Sequence, residues 1–316
     1  MKFFYVQAPV IPMDSLRFRK KASASVTTTR RIHAFYAESF RVSEVMLNRL
    51  GYPPPPLPHA TAEKLSQEDI EELAEDTREA LRLAPDQPVP HLTRALERAG
   101  IAVAPIALND MGGEENGTSS DHFGVSYWGG PGEPALIEYF PGSGDRDRFT
   151  LAHELAHIVL HTFRPWAPEP EDEAHRFAAA LLVPFRRACE DITEQLMLTD
   201  FARLKATWGV SIQALIMRGA AIGNIDDVRK RSLFVQLSQR GWRKSEPVSV
   251  GQERPLLLWK TLQRLYGVRP YVPASEDLAI PPTVLRSIIP TPTREVSGAT
   301  PIDAPSSVVK FQRRSH

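Results

Sequence analysis

The sequence predicts an α+β fold in which a small sheet is embedded in a mostly helical chain. Three short strand-like segments lie close together between residues 101 and 140, and helical patterns dominate from residue 30 to 99 and from Gly144 to about residue 266. Strands and helices that occur in separate runs are typical of α+β proteins. The composition, 42% hydrophobic and 24% charged, is that of an ordinary globular chain.

Three helices are predicted before the first strand. Apolar residues recur with helical spacing over 30–50, and the proline run at 53–56 follows as a stiff connector. Ser66 and Asp69 have the spacing of a capping box, which predicts the start of a second helix that continues to about Leu83. A short third helix is expected over 90–99.

The strand candidates are Ile101 to Val103, Phe123 to Trp128 and Ala135 to Phe140. The turn-forming residues Gly129-Gly130-Pro131-Gly132 separate the second candidate from the third. Such a short glycine-rich link between two strands predicts a β-hairpin.

Charge and cysteine content narrow the possible partners and compartment. Lys+Arg and Asp+Glu both total 38, so the chain has no overall field that would attract nucleic acid or an anionic membrane. No segment has the roughly 20 apolar residues of a membrane span. Cys189 is the only cysteine, so no internal disulfide and no cysteine-based zinc cluster can form. We therefore expect a cytoplasmic protein in which any metal is held by histidines and carboxylates.

The segment 149–161 contains the pattern His-Glu-x-x-His. On a helix, His153 and His157 project from one face about one turn apart, which lets both imidazoles reach a single zinc ion. Glu154 lies beside the first histidine and is placed to accept a proton from a water at the metal. The other helix positions are mostly apolar, so this helix should be buried, where unpaired polar groups are costly.

A catalytic zinc requires a third protein ligand. His161 continues the row but lies roughly 12 Å along the helix axis from His153, so the two cannot share one ion. The next helix, over 169–184, begins with several acidic residues. Glu173 lies one turn before the buried Phe177 and is the predicted third ligand. The nearby alternatives are Glu171 and Asp172.

Residues 148–161 and 173–184 together resemble the ImmA/IrrE family of metallopeptidases. The family pattern is similar to HELGH, followed at a distance by EANxFAxxLLMP. Three positions depart from it, with Ala156 in place of Gly, His175 in place of Asn and Val183 in place of Met. None of these positions is an inferred ligand or the inferred base.

The resemblance implies a short mixed sheet with the active-site helix beneath it, a bound zinc ion and endopeptidase activity. It also implies an intracellular regulatory protein as substrate, typically a repressor, in stress response or mobile-element control. Many longer members begin with an Xre-type helix-turn-helix. Residues 1–29 are too short and irregular to form one, so we expect no operator binding through such a domain.

Two further expectations concern substrate binding. The strand Ala135 to Tyr139 is expected to pair with an extended peptide, main chain to main chain. The candidates for stabilising the oxyanion are His122, Tyr127 and His175.

The stretch 201–244 supports an alternative function. It holds nine basic residues and two acidic ones, and Gly209-Val210-Ser211 separates two predicted helices like the turn of a helix-turn-helix. The protein would then be a DNA-binding regulator or antitoxin-like module with a structural or vestigial metal site. DNA binding of that kind should be lost when Arg218 or Arg229 is neutralised. The other interpretation is that these helices cover the peptidase core.

Four regions are predicted along the chain. Residues 1–58 form an N-terminal helical segment with the proline-rich connector, and residues 59–190 form the peptidase core. Residues 191–268 form the helical region that resembles a helix-turn-helix. Residues 269–316 form a Pro- and Ser-rich tail that should lack order after about residue 290.

Overall fold

The computed structural model describes residue 11 and residues 26–106, 124–164 and 167–292. Helices and one small sheet make up the described part of the chain, which confirms the α+β prediction. The helices are α1 (Val26–Arg49), α2 (Gln67–Ala80), α3 (Leu92–Arg98), α4 (Gly144–His161), α5 (Pro170–Leu182), α6 (Phe185–Asp191), α7 (Leu198–Trp208), α8 (Ile212–Ala221), α9 (Asp227–Gln239), α10 (Leu257–Tyr266), α11 (Tyr271–Leu278) and α12 (Pro282–Ile288). The strands are β1 (Ile101–Pro105), β2 (Gly124–Trp128) and β3 (Ala135–Tyr139).

None of the helices in the described ranges combines the length and the apolar character that spanning a bilayer requires.

The sheet is mixed, with strand order β1-β3-β2. β1 runs parallel to β3, with Ile101 opposite Ala135. β2 and β3 form the predicted antiparallel hairpin, with Trp128 opposite Ala135. Because β3 is hydrogen-bonded to a strand on each side, it has no edge for a peptide, and the prediction that Ala135 to Tyr139 pairs with substrate is wrong. No described strand pairs with the outer edge of β2.

Each face of the sheet packs against its own group of helices. Ile137 and Tyr139 of β3 belong to a core formed with α2 to α9. Leu136 points to the opposite face, into a core formed with α1 and α10 to α12. The Tyr36 hydroxyl of α1 donates a hydrogen bond of 2.7 Å to the Leu136 carbonyl. The central strand is thus buried on both faces, and its side chains alternate between the two cores.

The α1-side core also contains a carboxyl group. Glu138 of β3 is fully buried, and burial raises the pKa of its carboxyl to about 8. The nearby Ser39 hydroxyl opposes this rise only in part. The neutral form of the carboxyl therefore predominates at pH 7, which lets an acidic residue occupy the middle of the sheet.

The sequence signals for the first helices match the structure. Ser66 caps α2, where the Asp69 amide donates to the Ser66 hydroxyl at 3.1 Å and the Ser66 amide donates to the Asp69 carboxylate at 2.7 Å. This is the predicted capping box. The proline run at 53–56 lies outside the helices, between α1 and α2.

The start of the predicted tail is helical. α11 and α12 pack with α1 and α10, and Leu278 and Leu285 are buried among them. Residues 293–316, for which we predict a lack of order, lie outside the described residues. The division into four regions stays a prediction.

Buried ion pairs fix the first half of α4 in the fold. Arg148 pairs with Glu253, which also accepts hydrogen bonds from the backbone amides at the start of α3. Asp145 pairs with Lys205 of α7 at 2.6 Å. Gly144 is needed for close approach, because a Cβ there would lie 2.3 Å from the Gly251 carbonyl oxygen. These contacts set the orientation of the helix that carries the histidines.

Candidate metal centre

The two histidines of the α4 motif come together inside the protein. His153 and His157 are both buried, and their Nε2 atoms lie 3.1 Å apart. Their ring centroids are 4.7 Å apart, with the planes nearly perpendicular at 82°. As predicted from their spacing of four residues on a helix, the two histidines bring one imidazole nitrogen each to the same place.

A carboxylate from the first turn of α5 completes this group. Glu171 lies with one oxygen 3.3 Å from His153 Nε2 and the other 3.5 Å from His157 Nε2. The histidine side chains are almost fully buried, whereas the Glu171 side chain is 49% exposed. The group thus opens to solvent on its carboxylate side. One ligand atom from each residue lies within 4.8 Å of the others, and two imidazoles with a carboxylate are a donor set that suits zinc.

Glu173, the predicted third ligand, lies elsewhere. Its carboxylate accepts hydrogen bonds from Arg164 at 2.6 and 3.1 Å and lies 3.0 Å from His161 Nε2. Burial alone would raise the pKa of this carboxyl, but the bonds to Arg164 and His161 lower it below its ordinary value. Asp172, the other alternative, is exposed and pairs with Arg176. Of the three acids considered, only Glu171 stands beside the imidazole pair.

The helical wheel of α5 explains the difference. Residues two positions apart on a helix point about 200° apart, so Glu171 and Glu173 face opposite ways. Glu171 shares its side of the helix with His175, whose ring centroid lies 4.7 Å from that of His153. His175 Nδ1 lies 2.5 Å from the Glu171 carbonyl oxygen, one turn back. The pair Glu171 and His175 is therefore the signal in the sequence that indicates the face turned to the histidines.

The Glu154 side chain extends from α4 to the edge strand β2. It is fully buried, and the Ser126 hydroxyl lies 2.8 Å from its carboxylate and 3.0 Å from its backbone carbonyl oxygen. The carboxylate also fills the space beside Gly124, where an added Cβ would lie 2.6 Å from Glu154 Oε1. The absence of a side chain at Gly124 and the hydroxyl at Ser126 together define the position of the acid.

The three oxyanion candidates have different placements. His175 stands next to His153, as described above. Tyr127 lies on the other face of β2, where its ring packs edge-on against Phe40 of α1 at 5.1 Å, so it does not reach the site. His122 lies outside the described residues.

The helix pair α7 and α8 has the outline of a helix-turn-helix, with Gly209 in the left-handed conformation between the helices. Two of the basic residues in the stretch 201–244 nevertheless make contacts within the protein. Arg218 of α8 is 1% exposed and binds the Glu71 carboxylate of α2 and the Val183 carbonyl oxygen. Arg229 of α9 donates to the backbone carbonyl groups of Glu194 and Leu196, between α6 and α7. These contacts favour the interpretation in which the pair covers the peptidase core.

Replacing Arg218 with Met should therefore destabilise the protein by about 3–5 kcal/mol, because it leaves the carboxylate of Glu71 without its buried partner. Urea unfolding followed by circular dichroism measures the change. The matched control is Arg203→Met, since Arg203 is 83% exposed and forms a surface ion pair with Asp200. Its effect should stay below about 1 kcal/mol. An Arg218 variant with unchanged stability would contradict the buried ion pair.

Comparison with known protein families identifies one peptidase family. Residues 142–218 match the family model of the peptidase M78 family, described as the IrrE N-terminal-like domain. The matched stretch runs from the residues before α4 into α8 and contains both histidines, Glu154 and the acidic start of α5. A search of curated proteins found no match. The match over residues 142–218 is consistent with the family predicted from the sequence and supports a metallopeptidase-type function.

Proposed function

We propose that this chain, whose residues 142–218 form a peptidase domain of the IrrE N-terminal-like family, is a zinc-dependent endopeptidase. His153, His157 and Glu171 would hold the zinc ion, and Glu154 would act as the general base. The observation that carries the proposal is the convergence of two buried imidazole nitrogens and one carboxylate within 3.1 to 3.5 Å of each other.

The donor set fits a catalytic rather than a purely structural metal. Structural zinc sites have four protein ligands, whereas catalytic sites have three and keep one position open. Here the group comprises His153, His157 and the half-exposed Glu171, and the acid is on the solvent side. When bound, the metal supplies a Lewis acid that polarises the scissile carbonyl group and makes a water molecule more acidic.

Glu154 then performs the proton transfers. Its carboxylate accepts a proton from the attacking water and passes it to the amine that leaves when the peptide bond breaks. The Ser126 hydroxyl, 2.8 Å away, orients this carboxylate from the sheet side. His175, beside His153, is the side chain in the described site that is best placed to donate a hydrogen bond to the oxyanion.

The outer edge of β2 is the place where a substrate strand would add to the sheet. β2 carries Ser126, which contacts Glu154, so a peptide paired along this edge would lie next to the base. This assignment replaces the central strand β3, which has neighbours on both sides.

We propose an intracellular regulatory protein of the repressor type as the substrate, in the cytoplasm. The family resemblance supports this class of substrate, and the single cysteine supports the cytoplasmic location. Co-expression with a repressor-like protein encoded nearby, followed by blotting for fragments, tests it. Fragments that appear with the wild type and disappear with a chelator are expected, whereas an intact partner under zinc-replete conditions would argue against the substrate class.

Replacing Gly124 with Ala should reduce cleavage about 100-fold, since the new methyl group would displace the Glu154 carboxylate and even small displacements of a catalytic group are costly. Zinc binding should be retained, because the atoms nearest to an added Cβ belong to Glu154 and not to His153, His157 or Glu171. Peptidase assays with zinc titrations on the same samples measure both effects. The control is Gly251→Ala, where a Cβ meets nothing within 4 Å. Equal activity of the two variants would contradict the close packing at Glu154.

A further inference from the structure

A chain of buried polar groups leads away from His157 on the side opposite the proposed metal position. His157 Nδ1 lies 2.9 Å from His161 Nδ1, one turn further along α4. His161 Nε2 lies 3.0 Å from the Glu173 carboxylate of α5. Arg164, 1% exposed, donates to both oxygens of that carboxylate and also binds the Glu63 carbonyl oxygen at 2.9 Å.

The donor and the acceptor of each hydrogen bond in this series can be assigned by starting from Glu173 and Arg164. The Glu173 carboxylate accepts two bonds from the Arg164 guanidinium group, so it also accepts from His161. In its neutral form, His161 therefore carries its proton on Nε2, which leaves its Nδ1 as an acceptor. His157 must then donate from Nδ1. The nitrogen of His157 that remains free of a proton is Nε2, the atom that faces Glu171.

We propose that His161, Glu173 and Arg164 are positioning residues that fix His157 in the tautomer able to bind a metal through Nε2. The inference rests on the proposed function, because it assigns the surroundings of the same metal site. Metal-binding histidines commonly donate their other ring N–H to such a partner, which sets the tautomer and the orientation of the ring. The partner here is a second histidine, backed by a buried ion pair.

This series of hydrogen bonds also explains why the Glu173 carboxylate is buried although it does not face the imidazole pair. Burying an arginine and a carboxylate is costly unless their hydrogen bonds are satisfied. Here the guanidinium group, the carboxylate and His161 satisfy one another. A purely structural tie between α4 and α5 would place no requirement on the tautomer of His157, and this difference makes the proposal testable.

The experiment measures the tautomer of His157 directly in the metal-free full-length protein. Nitrogen-15 NMR of the imidazole rings distinguishes a protonated Nδ1 from a protonated Nε2. In the wild type we expect His157 to be protonated on Nδ1. In His161→Phe, which keeps a ring but removes both nitrogens, the Nδ1 proton should no longer be fixed. In His161→Asn, the side-chain oxygen can still accept from His157, so the wild-type tautomer should persist.

Zinc affinity provides the second measurement, by competition with a chromophoric chelator. His161→Phe should bind zinc about 10- to 100-fold more weakly than the wild type, and His161→Asn should recover most of this loss. Glu173→Gln should show a loss within the same range. The matched control is Asp172→Asn, since Asp172 neighbours Glu173 in the sequence but forms a surface ion pair with the exposed Arg176.

The outcomes separate this inference from the proposed function. A His157 protonated on Nε2 in the wild type, or unchanged zinc affinity in His161→Phe, would overturn the inference alone. If His161→Phe does not fold, Glu173→Gln with the Asp172→Asn control decides the same question. A wild-type protein that binds no zinc would overturn the proposed function and this inference with it. Zinc binding with the expected losses but without proteolysis would overturn only the enzymatic function.

Discussion

Glu154→Gln is expected to lower the rate of peptide cleavage by about 10²- to 10⁴-fold while zinc remains bound. Glutamine has the shape of glutamate, and its amide oxygen can still accept the hydrogen bond from Ser126. The amide cannot take a proton from water at neutral pH, so the variant should lose the base without losing the site. The glutamine side chain should fit the space beside Gly124 that the Glu154 carboxylate fills in the wild type.

Single-turnover cleavage of a partner protein, together with zinc stoichiometry on the same preparation, measures the effect. Glu133→Gln is the control, because Glu133 is an exposed acid in the turn between β2 and β3. Undiminished cleavage by the Glu154 variant would refute the assigned base. Loss of both zinc and activity would show instead that the carboxylate is needed to build the site.

The sequence predicts the elements whose signals are local. The capping box at Ser66 and Asp69 marks the start of α2, and the glycine-rich turn indicates the β2–β3 hairpin. The histidine pair also belongs to this class, because a spacing of four residues on one helix fixes the relative positions of His153 and His157 without knowledge of the rest of the fold.

Long-range pairing is where the prediction fails. The position of β3 between two strands depends on β1, which joins in parallel from the other side, and nothing within the β3 sequence reveals that partner. A strand with apolar residues on both faces is typical of the middle of a sheet. In β3, Leu136 and Ile137 indeed point to separate cores. The buried Glu138 hides this signal, since an acid within a strand suggests a solvent-facing side.

The face of α5 could not be fixed from apolar spacing alone. Phe177 and Glu173 lie on the same side of α5, and Phe177 is part of the core that α4 also contacts. On this side of α5 the acid meets His161 of α4, one turn beyond His157. The distinction between Glu171 and Glu173 depends on which turn of α4 lies against which turn of α5. Arg164 fixes that register by binding Glu173, and its role is visible only when both helices are placed.

The same register leads to the second large effect, which concerns the third ligand. Glu171→Gln should weaken zinc binding by more than about 100-fold, beyond the 10- to 100-fold loss typical of groups that only support a ligand. The variant replaces the carboxylate beside His153 and His157 with a neutral amide, which is a much poorer zinc ligand. Cleavage should fall in parallel, since the site would retain only two strong protein donors.

The order of losses discriminates between the acids at the start of α5. We expect Glu171→Gln to lose the most affinity, Glu173→Gln to lose less, and Asp172→Asn to lose none. Chelator competition gives the affinities, and the absorption spectrum of the cobalt-substituted protein reports a change of ligand set only for a residue that binds the metal. A larger loss and an altered cobalt spectrum in Glu173→Gln, with Glu171→Gln unaffected, would return the ligand role to Glu173. That result would require Glu173 to leave Arg164 and His161 when metal binds, at the cost of a buried guanidinium group without its partner.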